Sequence, residues 1–185
     1  MPELKELSLN VLDIAQNSIK ANASLIEISV SISTDEDALV IALKDNGSGF
    51  DVKKYAEKLE KGELPQKNNG FGLLLFKESA EKTGGAFEIS SEAGAGTSIR
   101  ASYILSCKNR APLGNINETV KALTFCCKDI RIVYTYSVDG QGFTLDTAQI
   151  KEIMGEIPLD SPDVMGFVGE YLKQNTDNIN KNRIF

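Results

Sequence analysis

The sequence has no histidine among its 185 residues. That absence removes metal sites built on imidazole, Ser/His and Cys/His nucleophile pairs, and any histidine phosphoacceptor within the chain. Cysteine is scarce. Cys107, Cys126 and Cys127 are odd in number and two are neighbours, which makes no tetrahedral metal cage by itself. Reduced thiols in a cytoplasm are the expected state. Cys126 and Cys127 are expected to be small buried core residues, with a vicinal redox pair as the alternative. No apolar run approaches the ~20 residues that span a bilayer. The amino terminus carries Glu3, Glu6 and Asp13 where a secretion signal would need a basic start and an apolar block. An excess of basic charge is also missing: Lys and Arg total 20 against 26 Asp and Glu, a net charge of −6. An acidic surface disfavours phosphate backbones and anionic lipid, so neither nucleic acid nor a membrane is an expected partner.

What remains is an ordinary globular balance of 42% apolar and 25% charged residues, enough for one generous domain or two small ones. Leu4, Leu7, Val11, Ile14, Ala15 and Ile19 recur at helical spacing, which predicts a helix over 3–22. Strands are expected at 25–33 and about 39–43, where Ile26, Ile28, Val30 and Ile32 and then Leu39, Ile41 and Leu43 alternate with other residues around an acidic turn. A charged helix is expected at 51–61, an aperiodic stretch at 62–69, and a second strong helix at 71–83 ending at Gly84-Gly85. Strands at 86–91 and 97–105 complete an α+β, two-layer sandwich: a mixed, mostly antiparallel sheet with helices on one face. A boundary is expected near 106–114, separating residues 1–106 from a small α+β domain at 107–185. That second part should hold a helix at 116–127, a hairpin of 130–138 with 142–146, and two short helices, one after Asp146 and one from Ser161-Pro162. The last dozen residues, rich in Asn, are expected to fray. Lys128, Arg131, Tyr134 and Tyr136 suggest a base-stacking patch, although alternation along a strand explains them better.

Three clusters carry chemistry. Asp13 and Asn17 stand one helical turn apart and Lys20 continues the line. A carboxylate, a carboxamide and an ammonium in a row suit a magnesium–triphosphate: the amide oxygen of Asn17 as a hard ligand to Mg²⁺, Asp13 facing a water, Lys20 offsetting phosphate charge. A solvated helix face explains the same spacing. Asp45-Asn46-Gly47-Ser48-Gly49 follows, an acidic side chain with spaced glycines that let a planar base approach the backbone. A carboxylate accepts from the amine of adenine but opposes the carbonyl of guanine, so ATP is favoured over GTP. A plain hairpin turn is the alternative. Asn68-Asn69-Gly70-Phe71-Gly72-Leu73 then enters a helix, and its amides at the positive helix end suit phosphate, or merely start a glycine-rich helix.

Taken in order, these segments resemble the histidine-kinase-like ATPase superfamily, the GHKL or Bergerat-fold group that includes gyrase, heat-shock chaperone, histidine-kinase and mismatch-repair ATPases. Leu12 to Ala23 is similar to its N box, and Leu43 to Phe50 to its adenine-binding glycine box. Asn69 to Lys77, continuing to Thr83-Gly84-Gly85, is similar to its second glycine box. Gly94-Ala95-Gly96-Thr97 is similar to its final Gly-Thr element. The resemblance spans residues 3–105. It implies an ATP and Mg²⁺ site in which Asp13 is catalytic and Asn17 holds the metal through ATP. The nucleotide would be bound by Asn17, Lys20, Asp45, Gly47, Gly49, Asn69, Gly70, Phe71, Gly72, Leu73 and Thr97, under a lid at about 51–69.

Two departures bear on activity. The usual catalytic glutamate is Asp13 here, one methylene shorter, which leaves turnover open. Twelve residues precede Asp13, too few for a hairpin bearing a phosphorylated histidine, and no long transducer follows. The expected function is a cytoplasmic, signalling ATP-binding regulator with slow hydrolysis or phosphotransfer to a separate protein, similar to anti-sigma-factor serine kinases. The alternative is a nucleotide-gated interaction module, and a repair-type ATPase ranks third.

Overall fold

The computed structural model describes residues 6–61, 71–181 and 183–185. Its first helix, α1 (Leu7–Lys20), forms where the apolar stripe predicts it. Leu7, Val11, Ile14 and Ala15 are buried, and Asn22 just beyond the helix takes a left-handed φ of 56°, which asparagine tolerates. Residues 3–5 of the expected helix lie outside the described residues.

Strands β1 (Leu25–Ser33) and β2 (Ala38–Asp45) pair as the expected hairpin. The short helices α2 (Val52–Glu60) and α3 (Phe71–Glu81) precede β3 (Phe87–Glu92) and β4 (Gly96–Ile104). Gly85, in the turn after α3, packs so tightly that an added Cβ would sit 1.8 Å from the Ser102 carbonyl oxygen. Beyond β4 come α4 (Ile116–Cys126), β5 (Arg131–Val138), β6 (Gln141–Asp146), α5 (Thr147–Met154) and α6 (Pro162–Asn180). Side chains start three of these helices: Asn115, Asp146 and Ser161 accept from the amides of Glu118, Ala148 and Val164.

The strands make one mixed sheet in the order β3-β4-β2-β1-β5-β6. Only the β1–β5 pair is parallel. The expected boundary at 106–114 falls between β4 and α4, and the strands beyond it extend the sheet of the first part. Along β1 the isoleucines and Val30 are buried while Glu27 and Ser31 face solvent, so helices cover one face and the other is open. Phe76, Tyr103, Tyr134 and Tyr136 are the largest side chains in the core. Helix α1 is held from below: Leu7 and Ser8 amides donate to the Pro112 and Leu113 carbonyls, and Thr119 of α4 donates to the Ser8 carbonyl.

Several expectations need correction. The carboxyl-terminal dozen continues α6 as far as Asn180 instead of fraying there: Val164, Val168 and Leu172 give that helix a buried stripe and Tyr136 donates to Asn180 near its end. Arg183 then pairs with Asp139 at 2.8 Å. The cysteines are not core residues: Cys126 is exposed, and Cys107 and Cys127 are half-buried. Cys126 and Cys127 lie past the buried stripe of α4, which ends at Thr124. Tyr134 and Tyr136 are buried and cannot stack on bases, as strand alternation predicts. Among the described residues, no helix is long and apolar enough to cross a membrane.

Candidate nucleotide site

The polar stripe of α1 and the end of β2 meet at one place. Ser18 occupies a position on the core side of α1, one turn after Ile14, and is buried. Its Oγ donates to Asp45 Oδ2 at 2.6 Å. The Gly47 amide donates to the other oxygen, Oδ1, at 2.9 Å. Asp45 is therefore an ionisable side chain only 6% exposed, yet held by two donors, which compensates much of its desolvation. On the neighbouring residues of α1, Asn17 is half-buried and Asp13 and Lys20 are exposed.

The register between β2 and β4 sets Thr97 directly opposite Asp45. Thr97 Oγ1 lies 3.0 Å from Ser91 Oγ, which also accepts from the Phe50 amide. The loop between them leaves no room for side chains at its glycines. A Cβ on Gly47 would lie 2.9 Å from Ala21 Cβ, and one on Gly49, at φ +58°, would lie 2.0 Å from the Glu92 carbonyl oxygen. Asn46 is an anchor rather than a lining group: its Oδ1 accepts from the Ser24 and Leu25 amides. Backbone bonds from Ser48 to Ala21 and from Gly94 to Ser48 tie the loop to both neighbours.

These elements enclose a cleft. Its narrow end, about 60 Å³, is lined by Ser18, Asp45, Thr97 and Ile99. Its mouth, about 580 Å³, is lined by Lys20, Ser48, Lys54 and Tyr55. Asn17, Gly49, Phe50 and Leu73 line both parts, so the two are continuous. Phe50 and Tyr55 meet edge-on at 5.6 Å, which sets the first turn of α2 against the cleft wall. Burial pushes the Tyr55 hydroxyl pKa up. The start of α3 closes another side, where a Cβ on Gly72 would come within 3.2 Å of Asp13 Cβ. One narrow end with a buried carboxylate and one wide end with Lys20 and the Lys54–Asp51 pair suit an elongated ligand with an amine at one tip and anionic groups at the other.

Of the expected residues, the structure gathers Asn17, Lys20, Asp45, Gly49, Leu73 and Thr97 around this cleft, with Gly47 bonded to Asp45 and Gly72 against Asp13. Asn69 and Gly70 lie outside the described residues, as does the side chain of Phe71. The same holds for 62–69 of the expected lid, whereas its first part forms α2. No group of three or more His, Cys, Asp or Glu among the described residues could hold a metal alone. The donor set, the Asn17 amide oxygen with Asp13 one turn before it on α1 and no preformed carboxylate cage among the described residues, fits an ion that keeps water and ligand oxygens. Sequence reasoning missed Ser18, Ser91 and Lys54. Ser18 had a signal, since a hydroxyl on the apolar stripe of an amphipathic helix calls for a buried partner.

Comparison with known proteins bears on the same segment. Residues 4–106 match the model of the histidine kinase-, DNA gyrase B- and HSP90-like ATPases. The chain is similar to the signal transduction histidine-protein kinase/phosphatase DegS of Bacillus subtilis (strain 168), 38% identical over 90 residues, which are 49% of this chain and 21% of that protein. It is 31% identical over 109 residues to the sensor histidine kinase YxdK of the same organism, covering 55% of this chain and 34% of the other. The matched segments thus span only 21% and 34% of the length of these relatives. Among solved structures, the ADP complex of the Aquifex aeolicus MutL ATPase domain aligns at a TM-score of 0.45 and 17% identity, over 80% of this chain and 68% of that one.

Proposed function

The chain belongs to the histidine kinase-, DNA gyrase B- and HSP90-like ATPases through residues 4–106, and from that premise we propose that it is an ATP-binding regulator acting on a separate protein. The observation that carries the reading is Asp45, buried at the closed end of a cleft whose other end bears Asn17 and Lys20.

Asp45 keeps lone pairs beyond those used by Ser18 and Gly47, and these accept from the exocyclic amine of adenine. Guanine offers a carbonyl oxygen there, acceptor against acceptor, so ATP is preferred. Thr97 supports the same end. The missing side chains of Gly47 and Gly49 admit the base to the backbone. Lys20, with the amides at the start of α3, meets the phosphates. Asn17 would hold Mg²⁺, and that cation would supply charge neutralisation for the phosphate oxygens. Asp13 orients a water toward the terminal phosphate and accepts its proton.

With no histidine in the sequence, a phosphoryl acceptor of that kind lies outside these 185 residues. We place the chain with slow hydrolysis or phosphotransfer to such a protein in the cytoplasm, in the manner of the compact anti-sigma-factor serine kinases. A second reading, ATP gating of protein binding without turnover, is favoured by the exposure of Asp13 and its one-methylene-shorter reach. Labelled phosphate from ATP on a partner, lost in Asp13→Asn, supports the first. ATP-dependent partner capture with no phosphate release supports the second. Nucleic-acid processing is disfavoured by the net charge of −6.

ATP with Mg²⁺ at about a hundred times its dissociation constant should stabilise the fold by roughly 2.7 kcal/mol. Asp45→Asn should remove most of that gain, and Asn17→Ala its dependence on Mg²⁺. Equal stabilisation by GTP would refute the base contact.

A further inference from the structure

The open end of the carboxyl-terminal helices carries apolar surface that the nucleotide cleft does not use. Ile153 at the end of α5 is 75% exposed, Ile157 in the turn that follows 52%, and Phe167 on α6 49%. Ile153 and Phe167 flank a groove of about 120 Å³ whose floor is Leu145, Ile150 and Val168. The groove is preformed. Tyr171 donates to the Thr144 carbonyl and meets Phe143 edge-on, while Phe167 stacks on Tyr171 with ring centroids 6.4 Å apart. An isolated exposed leucine or isoleucine needs no explanation, but Ile153 and Phe167 on either side of a fixed aromatic groove, with Ile157 exposed in the turn between their helices, form a patch.

The rim decides what the groove takes. Asp163 and Glu170 stand one turn before and one turn after Phe167 on the same side of α6. Glu152 and Glu156 flank Ile153 along the chain. Glu152, Glu156 and Asp163 make no ion pair among the described residues. The cation of this segment, Lys151, is turned away to the Lys128 carbonyl at 2.6 Å. From this charge pattern we propose that the α5–α6 groove docks a basic amphipathic helix of a partner protein, apolar on one face and lysine- or arginine-rich beside it.

Complementary charge steers and orients such a helix while its apolar face fills the groove. A second copy of the chain is a poor occupant, because a two-fold contact through this face would set carboxylates against carboxylates. An anionic lipid surface is repelled for the same reason. The inference rests on residues 144–171 alone and holds whether or not the cleft binds ATP.

The test titrates the full chain into a fluorescein-labelled synthetic helix of about 18 residues, five turns, with leucine on one face and lysine and arginine beside it. A twin peptide carries glutamate in place of every basic residue. Fluorescence anisotropy should show binding of the basic peptide, weakening as salt is raised, and none of the twin. The Ile153→Ser, Phe167→Ser double variant should lose about tenfold or more in affinity, and Glu170→Lys with Asp163→Lys should weaken binding and flatten its salt dependence. Backbone amide shifts should move within 144–171. If the double variant unfolds by circular dichroism, the fully surface Glu170→Lys, Asp163→Lys chain decides alone. The proposal is overturned if the twin binds equally, if these variants bind undiminished, if the shifts map elsewhere, or if sedimentation shows a dimer that Ile153→Glu abolishes.

Discussion

Ser18 Oγ lies 2.6 Å from Asp45 Oδ2, so the carboxylate at the closed end of the cleft is held by the helix whose last residue is Lys20. The two residues are 27 apart in sequence. The bond joins the core side of α1 to the glycine loop, and one substitution separates its structural from its ligand-binding role. Ser18→Ala leaves a buried carboxylate short of one donor, which should cost about 1–3 kcal/mol by chemical denaturation. The same variant should bind ATP more weakly, measured as a smaller ATP-induced rise in melting temperature. Unchanged stability and an unchanged rise would show that the bond does not hold Asp45.

Gly49 and Gly94 both have positive φ, +58° and +84°, but differ in what surrounds them. At Gly94 nothing lies within 4 Å of an added Cβ, so Gly94→Ala should cost only the backbone term, about 1–2 kcal/mol. At Gly49 the Cβ would overlap the Glu92 carbonyl, and overpacking of about 1–3 kcal/mol is added. Thermal melts of the pair should therefore place Gly49→Ala well below Gly94→Ala.

Leu172 is fully buried on α6 while Phe167 is half exposed. Leu172→Ala should cost about 2–5 kcal/mol and Phe167→Ala clearly less. Because β5 is hydrogen-bonded to β1, the loss should appear as a shift of one cooperative urea transition rather than as a separate early phase. Two transitions in Leu172→Ala would mean that the carboxyl-terminal part unfolds alone.

Asp139 accepts from the Thr34 amide and pairs with Arg183, and these contacts lower its carboxyl from the ordinary 3.8 to about 2. A depressed folded value contributes stability above 3.8 that is lost as pH falls toward 2. Asp146, lowered by its hydrogen bonds from Arg131, acts in the same direction. Urea midpoints measured from pH 5 to pH 2 should fall in the native chain, and the fall should be shallower in Asp139→Asn. An identical profile would remove Asp139 from the acid response.

Much of this was legible in the residue order. The alternation of Ile26, Ile28, Val30 and Ile32 specifies a half-buried strand wherever it lies. The Asp45–Gly49 segment left a plain turn and a close backbone approach both open, and the structure shows close backbone contacts at Gly49 and Gly96. The buried stripe of α6 was also present in Val164, Val168 and Leu172, but the asparagines around it obscured it. The cysteines misled because small apolar residues are core only where the helix face turns inward, and Cys126 lies at the outward end of α4.

Local order alone determined the helix and strand periods, the excess of acidic over basic residues, the absence of imidazole chemistry and part of the cleft lining, with Ser18 and Lys54 outside its reach. The tertiary structure decided that β5 lies parallel to β1, that Ser18 holds Asp45, that Thr97 faces Asp45 across the sheet, and that α5 and α6 form a groove. The division has a physical cause. Periodicity and turn chemistry act over a few residues and are written in adjacent positions. Parallel pairing and buried hydrogen bonds join segments far apart in the chain, and only the packing of the whole core selects among the partners they could find.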